Sequence, residues 1–145
     1  IPDSQNIGVD ELVSMTLKVI DETNNSPEAI MYINHDYLNR PKGIIDEIIY
    51  EAQYKGYDSI FPGFLDYAHY WRQLDEIDFA QIDSSMKSRN ERLPLYRALY
   101  GLGCFSTAEV VRLGKLVGGR VGIHPIHDIK YVLRNKDFDS KRDSY

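Results

Sequence analysis

Between Ala29 and Phe61 the chain changes its hydrophobic period twice, and this constrains the fold more than any other feature. Ala29-Ile30-Met31-Tyr32-Ile33 is a short apolar run of the kind buried in a parallel sheet. From about Gly43 to Tyr54, Ile44, Ile45, Ile48, Ile49 and Ala52 recur at helical spacing, and Gly56 closes the segment. Asp58-Ser59-Ile60-Phe61 then begins another strand. Strand, helix and strand within roughly 30 residues make a βαβ unit. The spacing predicts an α/β protein with a mostly parallel, mixed sheet flanked by helices.

The flanking segments extend this pattern. Val9, Leu12, Val13, Thr16, Leu17 and Ile20 share one face of a predicted helix, with Asp10 and Glu11 at its positive end. After Pro62 the pattern loosens: Tyr67, Tyr70 and Trp71 fit a short helix, Ile77 to Ile82 a strand, and Ser84 to Arg92 an exposed connection. Leu95 to Phe105 reads as a strand, in which Gly101 and Gly103 weaken it or mark a close backbone approach. Ser106-Thr107-Ala108-Glu109 has the form of a capping box, opening a helix that runs to about Leu116 and ends at Gly118-Gly119. Val121 to Ile126, interrupted by Pro125, and Ile129 to Leu133 are further strands, and the segment from Lys136 is expected to fray.

With 145 residues, 43% hydrophobic and 27% charged, the chain suits one α/β domain, assigned to residues 1–138 with a polar tail at 139–145. The net charge of −5 argues against general affinity for nucleic acid, which requires a basic surface to displace counterions. No apolar run approaches the ~18 residues of a membrane span. The single cysteine, Cys104, rules out an internal disulfide framework and suits a reducing, cytoplasmic compartment. The chain starts at Ile1 without methionine, so it is expected to be a processed or excised piece.

Chemistry is most concentrated in Asn34-His35-Asp36-Tyr37-Leu38-Asn39-Arg40-Pro41, directly after the first strand, where open α/β sheets bind ligands. It offers an amide, an imidazole, a carboxylate and a guanidinium. The carboxylate suits Mg²⁺ and the guanidinium suits phosphate or a substrate carboxylate. An ordinary loop, with Asp36 capping a turn and Arg40 solvated, fits the same residues. Lys87, Arg89, Arg92 and Arg97 form a local basic cluster, fitted either to a phosphate or carboxylated sugar or to a solvated connection. His124 and His127 straddle Pro125 and would not share one strand face, which disfavours zinc. Cys104, in an apolar context, reads as a buried structural thiol. Tyr67, Tyr70 and Trp71 suit ring stacking as well as core or partner packing.

Several segments in order resemble the CMP-sugar synthetases, the cytidylyltransferases that activate sialic acid, Kdo and related acid sugars with CTP. In the sialate enzymes a strand ends in a Leu-Gln-Pro-Thr-Ser-Pro-Leu-Arg loop, followed by a helix, Asp-Ser and a strand. Ile33-Asn34-His35-Asp36-Tyr37-Leu38-Asn39-Arg40, then Ile44 to Tyr54, then Asp58-Ser59-Ile60 repeat that order and spacing. The Kdo-activating enzymes have Gln-Gly-Asp-Glu-Pro at the same place, and Asp36 falls on their magnesium-binding aspartate. Leu93-Pro94, Tyr96 and Tyr100-Gly101 are similar to an Arg-Gln-x-Leu-Pro, tyrosine, Asn-Gly-Ala series, with Arg89 and Arg92 flanking the arginine position. Val117-Gly118-Gly119-Arg120-Val121-Gly122-Ile123 resembles the Gly-Gly-Lys-Val-Gly strand entry.

The resemblance implies a nucleotide-diphospho-sugar transferase (Rossmann-like) architecture and a nucleotidyltransferase that converts CTP and an acid sugar to a CMP-sugar and pyrophosphate. It implies Arg40 and Arg92 as catalytic residues, Asn34, Arg89, Tyr96, Tyr100 and Gly101 as substrate-binding residues, and Mg²⁺ on Asp36. A homodimer is also implied, with Tyr67 to Trp71 as the candidate interface. Two departures accompany these matches. The family's N-terminal loop that cradles the CTP phosphates is not present, so this chain alone is not expected to turn over. Tyr131 and Leu133 stand where the sialate enzymes place two magnesium-binding aspartates. A non-catalytic sugar-, nucleotide- or protein-binding relative is the alternative, and a related transferase using another nucleotide is a third.

Overall fold

A computed structural model of the chain describes residues 7–82 and 94–137. The helices are α1 (Val9–Asp21), α2 (Ile44–Lys55) and α3 (Ala108–Arg112). The strands are β1 (Ala29–Tyr32), β2 (Ser59–Asp66), β3 (Trp71–Gln73), β4 (Phe79–Gln81), β5 (Leu95–Ala98), β6 (Cys104–Thr107) and β7 (Val121–Ile126). Described residues up to Phe64 and from Ala98 form one compact unit; those between Leu65 and Arg97 form a second, smaller one.

The sheet is mixed, in the order β1-β6-β2-β5, with β7 on β2. β1–β6 and β2–β6 are antiparallel, whereas β2–β7 is parallel from Ser59↔Val121 to Phe64↔Ile126. The expected mostly parallel sheet is thus corrected to a mostly antiparallel one. The predicted strand, helix and strand all form, but β6 runs between β1 and β2 in the opposite sense. No helix separates β5 from β6. A 3₁₀ turn at Tyr100–Leu102 does, and it splits the single strand expected over Leu95 to Phe105. At Gly103 φ is +152°, and a Cβ there would stand 2.7 Å from Ile45 Cδ1, so the reset of the chain into β6 requires glycine.

Alternate residues of each strand face opposite layers. Ile60 joins Ile44, Ile48 and Ala52 of α2 with Leu102, Ile126 and Val132, while its neighbour Phe61 joins Val13 and Leu17 of α1 with Val111 of α3. The result is a helix–sheet–helix sandwich. Only Val13 and Leu17 of the predicted α1 face are buried; Val9, Leu12 and Ile20 are partly exposed. A bidentate pair, Arg112 Nε and Nη2 to Asp21 at 3.1 and 3.0 Å, ties α3 to α1. The Arg112 guanidinium beside Asp21 holds that carboxyl below its ordinary range.

Ser106 does not cap a helix. It lies in β6 opposite Ser59, fully buried, and the two hydroxyls meet at 3.0 Å. Ser106 Oγ donates to the Leu116 carbonyl at 2.6 Å and Ser59 Oγ accepts from Gly118 N–H at 3.1 Å, which fastens the loop after α3 to the sheet. Thr107 occupies the cap position without a side-chain bond, and α3 ends at Arg112, short of Leu116. The segment expected as a strand over Ile129 to Leu133 is instead a 3₁₀ helix, Ile129–Val132, with Asp128 Oδ1 accepting from Lys130 N–H at 3.0 Å. In the smaller unit Trp71 belongs to a strand, not the short helix expected around Tyr67 to Trp71. β3 and β4 pair as a hairpin, and β4 falls within the strand expected from Ile77 to Ile82.

Cys104 is fully buried, and that burial pushes its thiol pKa up to about 12. The folded state therefore holds this proton more tightly than the unfolded chain does. The contribution to stability is complete below the ordinary thiol value near 9 and is lost as pH rises from there toward 12. At pH 8 a thiol-specific disulfide reagent is expected to label native protein only at the rate of opening, and denatured protein at once. Immediate stoichiometric labelling of the native state would place the thiol at the surface.

Candidate functional site

The first strand ends at Tyr32, and a cleft of about 640 Å³ opens just beyond it, within the larger unit. Asn34, Tyr37, Tyr100 and Gly101 line it together with Lys115, Arg134 and Lys136, and Asp10 is the carboxylate on its wall. The Asn34 loop is fixed from both sides. Asn34 N–H donates to the Gly101 carbonyl at 2.9 Å, and Asn34 Oδ1 accepts from Asp36 N–H at 2.9 Å, closing an Asx turn. A Cβ on Gly101 would lie 2.6 Å from Tyr37 Cε2 and 2.7 Å from Asn34 Cβ, so the suspected close approach of backbone is present at this glycine.

Arg40 stands behind this contact. Nη2 donates to the Asn34 carbonyl at 3.0 Å, and Nη1 donates to the carbonyls of Gly101, at 3.2 Å, and Leu102. One guanidinium thus binds the loop after β1 to the 3₁₀ turn before β6. It is not among the residues lining the cleft.

Asp36 carries its own cation. Oδ2 accepts from Arg134 Nε at 3.1 Å, and both side chains are about three-quarters buried. Backbone bonds hold the two segments in register: Leu38 N–H to the Leu133 carbonyl at 3.1 Å and Asn135 N–H to the Asp36 carbonyl at 2.8 Å. The Arg134 guanidinium carbon lies 5.0 Å from the Tyr37 ring centroid, which orients its plane. Neither Lys115 nor Lys136 has an ion-pair partner among the described residues. Asp10 is committed elsewhere, its Oδ1 accepting from Leu116 N–H at 2.8 Å.

Tyr100 packs its ring edge-on against Phe61, centroids 4.7 Å apart, and burial raises its phenol pKa. It is a neutral hydrogen-bond donor at physiological pH. Tyr96 belongs to the smaller unit, where it lines a cavity of about 380 Å³ with Asp66, Tyr70 and Arg97. Lys87, Arg89 and Arg92 lie outside the described residues. Of the anticipated site residues, Asn34, Tyr100 and Gly101 meet at one cleft; Asp36 and Arg40 support it. Sequence reasoning missed Tyr37, Lys115, Arg134 and Lys136. The three cations come from two distant segments, and Lys136 falls in what reads as a fraying tail, so no local pattern marks them.

His124 clips β7 to α2, with Nδ1 2.7 Å from Glu51 Oε2 and Nε2 3.5 Å from Glu47 Oε2. Among the described residues no group of three or more His, Cys, Asp or Glu is arranged to hold a metal. Mg²⁺ demands oxygen ligands in near-octahedral order, and the carboxylate matched to it, Asp36, faces a guanidinium. The donor set present suits an anion. Among the described residues no helix is long and apolar enough to cross a membrane. In comparisons with known proteins, no protein-family model matches the chain and no curated protein matches it.

Proposed function

We propose that this chain carries the acid-sugar-recognising part of a cytidylyltransferase-like nucleotidyltransferase of Rossmann-like architecture. The observation that carries the reading is the cleft beyond β1. There, Asn34, Tyr100 and Gly101, which the resemblance makes substrate-binding residues, stand with Lys115, Arg134 and Lys136. Two other segments of the resemblance also meet. Asp58 Oδ2 accepts from Arg120 N–H at 2.7 Å, and Ser59 holds Gly118. The reaction would be attack of the sugar's anomeric hydroxyl on the α-phosphate of CTP with release of pyrophosphate. Here the chain's own part is to orient the sugar by hydrogen bonds from Asn34 and Tyr100 and to neutralise its carboxylate. The implied dimer would use the smaller unit, where Trp71, Ile77 and Phe79 are exposed.

A second reading, a non-catalytic relative that binds an acid sugar, is favoured by the Asp36–Arg134 pair. Calorimetric titration tests both. N-acetylneuraminate is expected to bind at least tenfold more tightly than N-acetylmannosamine, an uncharged sugar. Equal affinities, or no binding of either, would remove the acid-sugar reading. On the transferase reading, the chain joined to a segment carrying the family's phosphate loop releases pyrophosphate from CTP when the acid sugar is present; on the second it releases none.

A further inference from the structure

We infer that the cleft neutralises its anionic ligand with fixed cations, Arg134 first, in place of a divalent metal, and that Asp36 is the positioning residue for Arg134. The inference rests on the acid-sugar reading of the cleft and goes beyond it by assigning the source of positive charge.

Arg134 has the form of a prepared receptor. Its Nε is taken by Asp36, its plane is set against Tyr37, and neither Nη nitrogen has a partner among the described residues. Arg134 lines the cleft, and its two terminal nitrogens are the donors it has left to offer a ligand there. A carboxylate or phosphate oxygen pair matches such a fork. The loop that carries Asp36 is bonded through its backbone to the segment that carries Arg134, so little order is lost on binding. Lys115 and Lys136, both exposed, add charge from the neighbouring wall.

The Arg134 Nε hydrogen bond takes Oδ2 of Asp36, and a dication on either oxygen of that carboxylate would stand beside a guanidinium that cannot lose its proton. Like charges at that range, partly shielded from water, oppose each other. Asp36 is not among the residues lining the cleft, and its described partner is the arginine.

Titration of the chain with N-acetylneuraminate, in EDTA and again in excess Mg²⁺, reads the inference directly. Equal affinity in the two, within about twofold, is expected, with progressive weakening as salt is added. Arg134→Gln should weaken binding by at least about tenfold, the effect of losing a charged hydrogen-bond partner, and Arg134→Lys should recover part of it. Lys115→Gln and Lys136→Gln, at exposed positions, should each cost a few-fold without moving the melting temperature. They keep the test open if Arg134→Gln fails to fold. Asp36→Asn should weaken binding equally in EDTA and Mg²⁺. Binding that requires Mg²⁺, or an Asp36→Asn loss confined to the Mg²⁺ titration, overturns the inference while leaving the acid-sugar reading standing. Absence of binding under both conditions overturns both.

Discussion

Replacing Arg40 with methionine is expected to lower the melting temperature by on the order of 10 °C and to remove acid-sugar binding along with it. Methionine keeps an unbranched apolar stem but none of the donors. The carbonyls of Asn34, Gly101 and Leu102 would then face a thioether. Leaving part-buried acceptors without partners costs about 1–3 kcal/mol apiece, and relaxation lets water recover some of it. A net loss of about 3 kcal/mol is a large share of the roughly 5–15 kcal/mol that holds a domain of this size together. Arg40→Lys should recover little, since an ammonium cannot reproduce the planar fork that spans three carbonyls. Thermal unfolding followed by circular dichroism, beside calorimetry, checks the expectation. A methionine variant that melts normally yet fails to bind would make Arg40 a ligand contact, the role that the family resemblance gives it.

Gly101→Ala should weaken acid-sugar binding by at least about tenfold while costing about 1–3 kcal/mol of stability, the usual range for forcing a methyl group into filled space. The added carbon would come within 2.7 Å of Asn34 Cβ, an atom rooted in the opposing backbone, and closer still to the Tyr37 ring. The ring can turn; the backbone cannot retreat without breaking the Asn34 N–H bond to the Gly101 carbonyl. If the ring turns, Arg134 loses the surface that sets its plane. Either response deforms the cleft wall, so binding should fall further than stability. Unchanged affinity in Gly101→Ala would show that the ligand does not depend on this wall.

The elements easiest to read from the sequence are those whose burial has a simple period. α2 presents Ile44, Ile48 and Ala52 to the sheet, and Ile60 and Phe61 of β2 are buried where the apolar run predicts them, whereas β1 is only half-buried and Ile33 lies exposed beyond its end. Pairing order was not legible, because the direction of β6 is decided by a three-residue 3₁₀ turn and one glycine, not by hydrophobicity. The hairpin β3–β4 was obscured for a different reason: Trp71, Ile77 and Phe79 are exposed, so its apolar residues do not mark an inside face. Ser106 illustrates a local signal overridden by tertiary structure, its hydroxyl taken by Ser59 and the Leu116 carbonyl before it could cap a helix. At the cleft, Asn34, Tyr100 and Gly101 were visible through the resemblance. Lys115, Arg134 and Lys136 were not, since only the completed chain path brings them beside β1.

The interposed strand also dictates an order of assembly. β1 and β2 flank α2 in the sequence but never touch as a ladder; each bonds to opposite edges of β6. In synthesis from the N-terminus, β1 and β2 are both complete before the strand that joins them in the folded sheet has been made. Their edges stay open until Cys104–Thr107 leaves the ribosome. Among the described strands of the sheet, the keystone is made after β1, β2 and β5 and before β7.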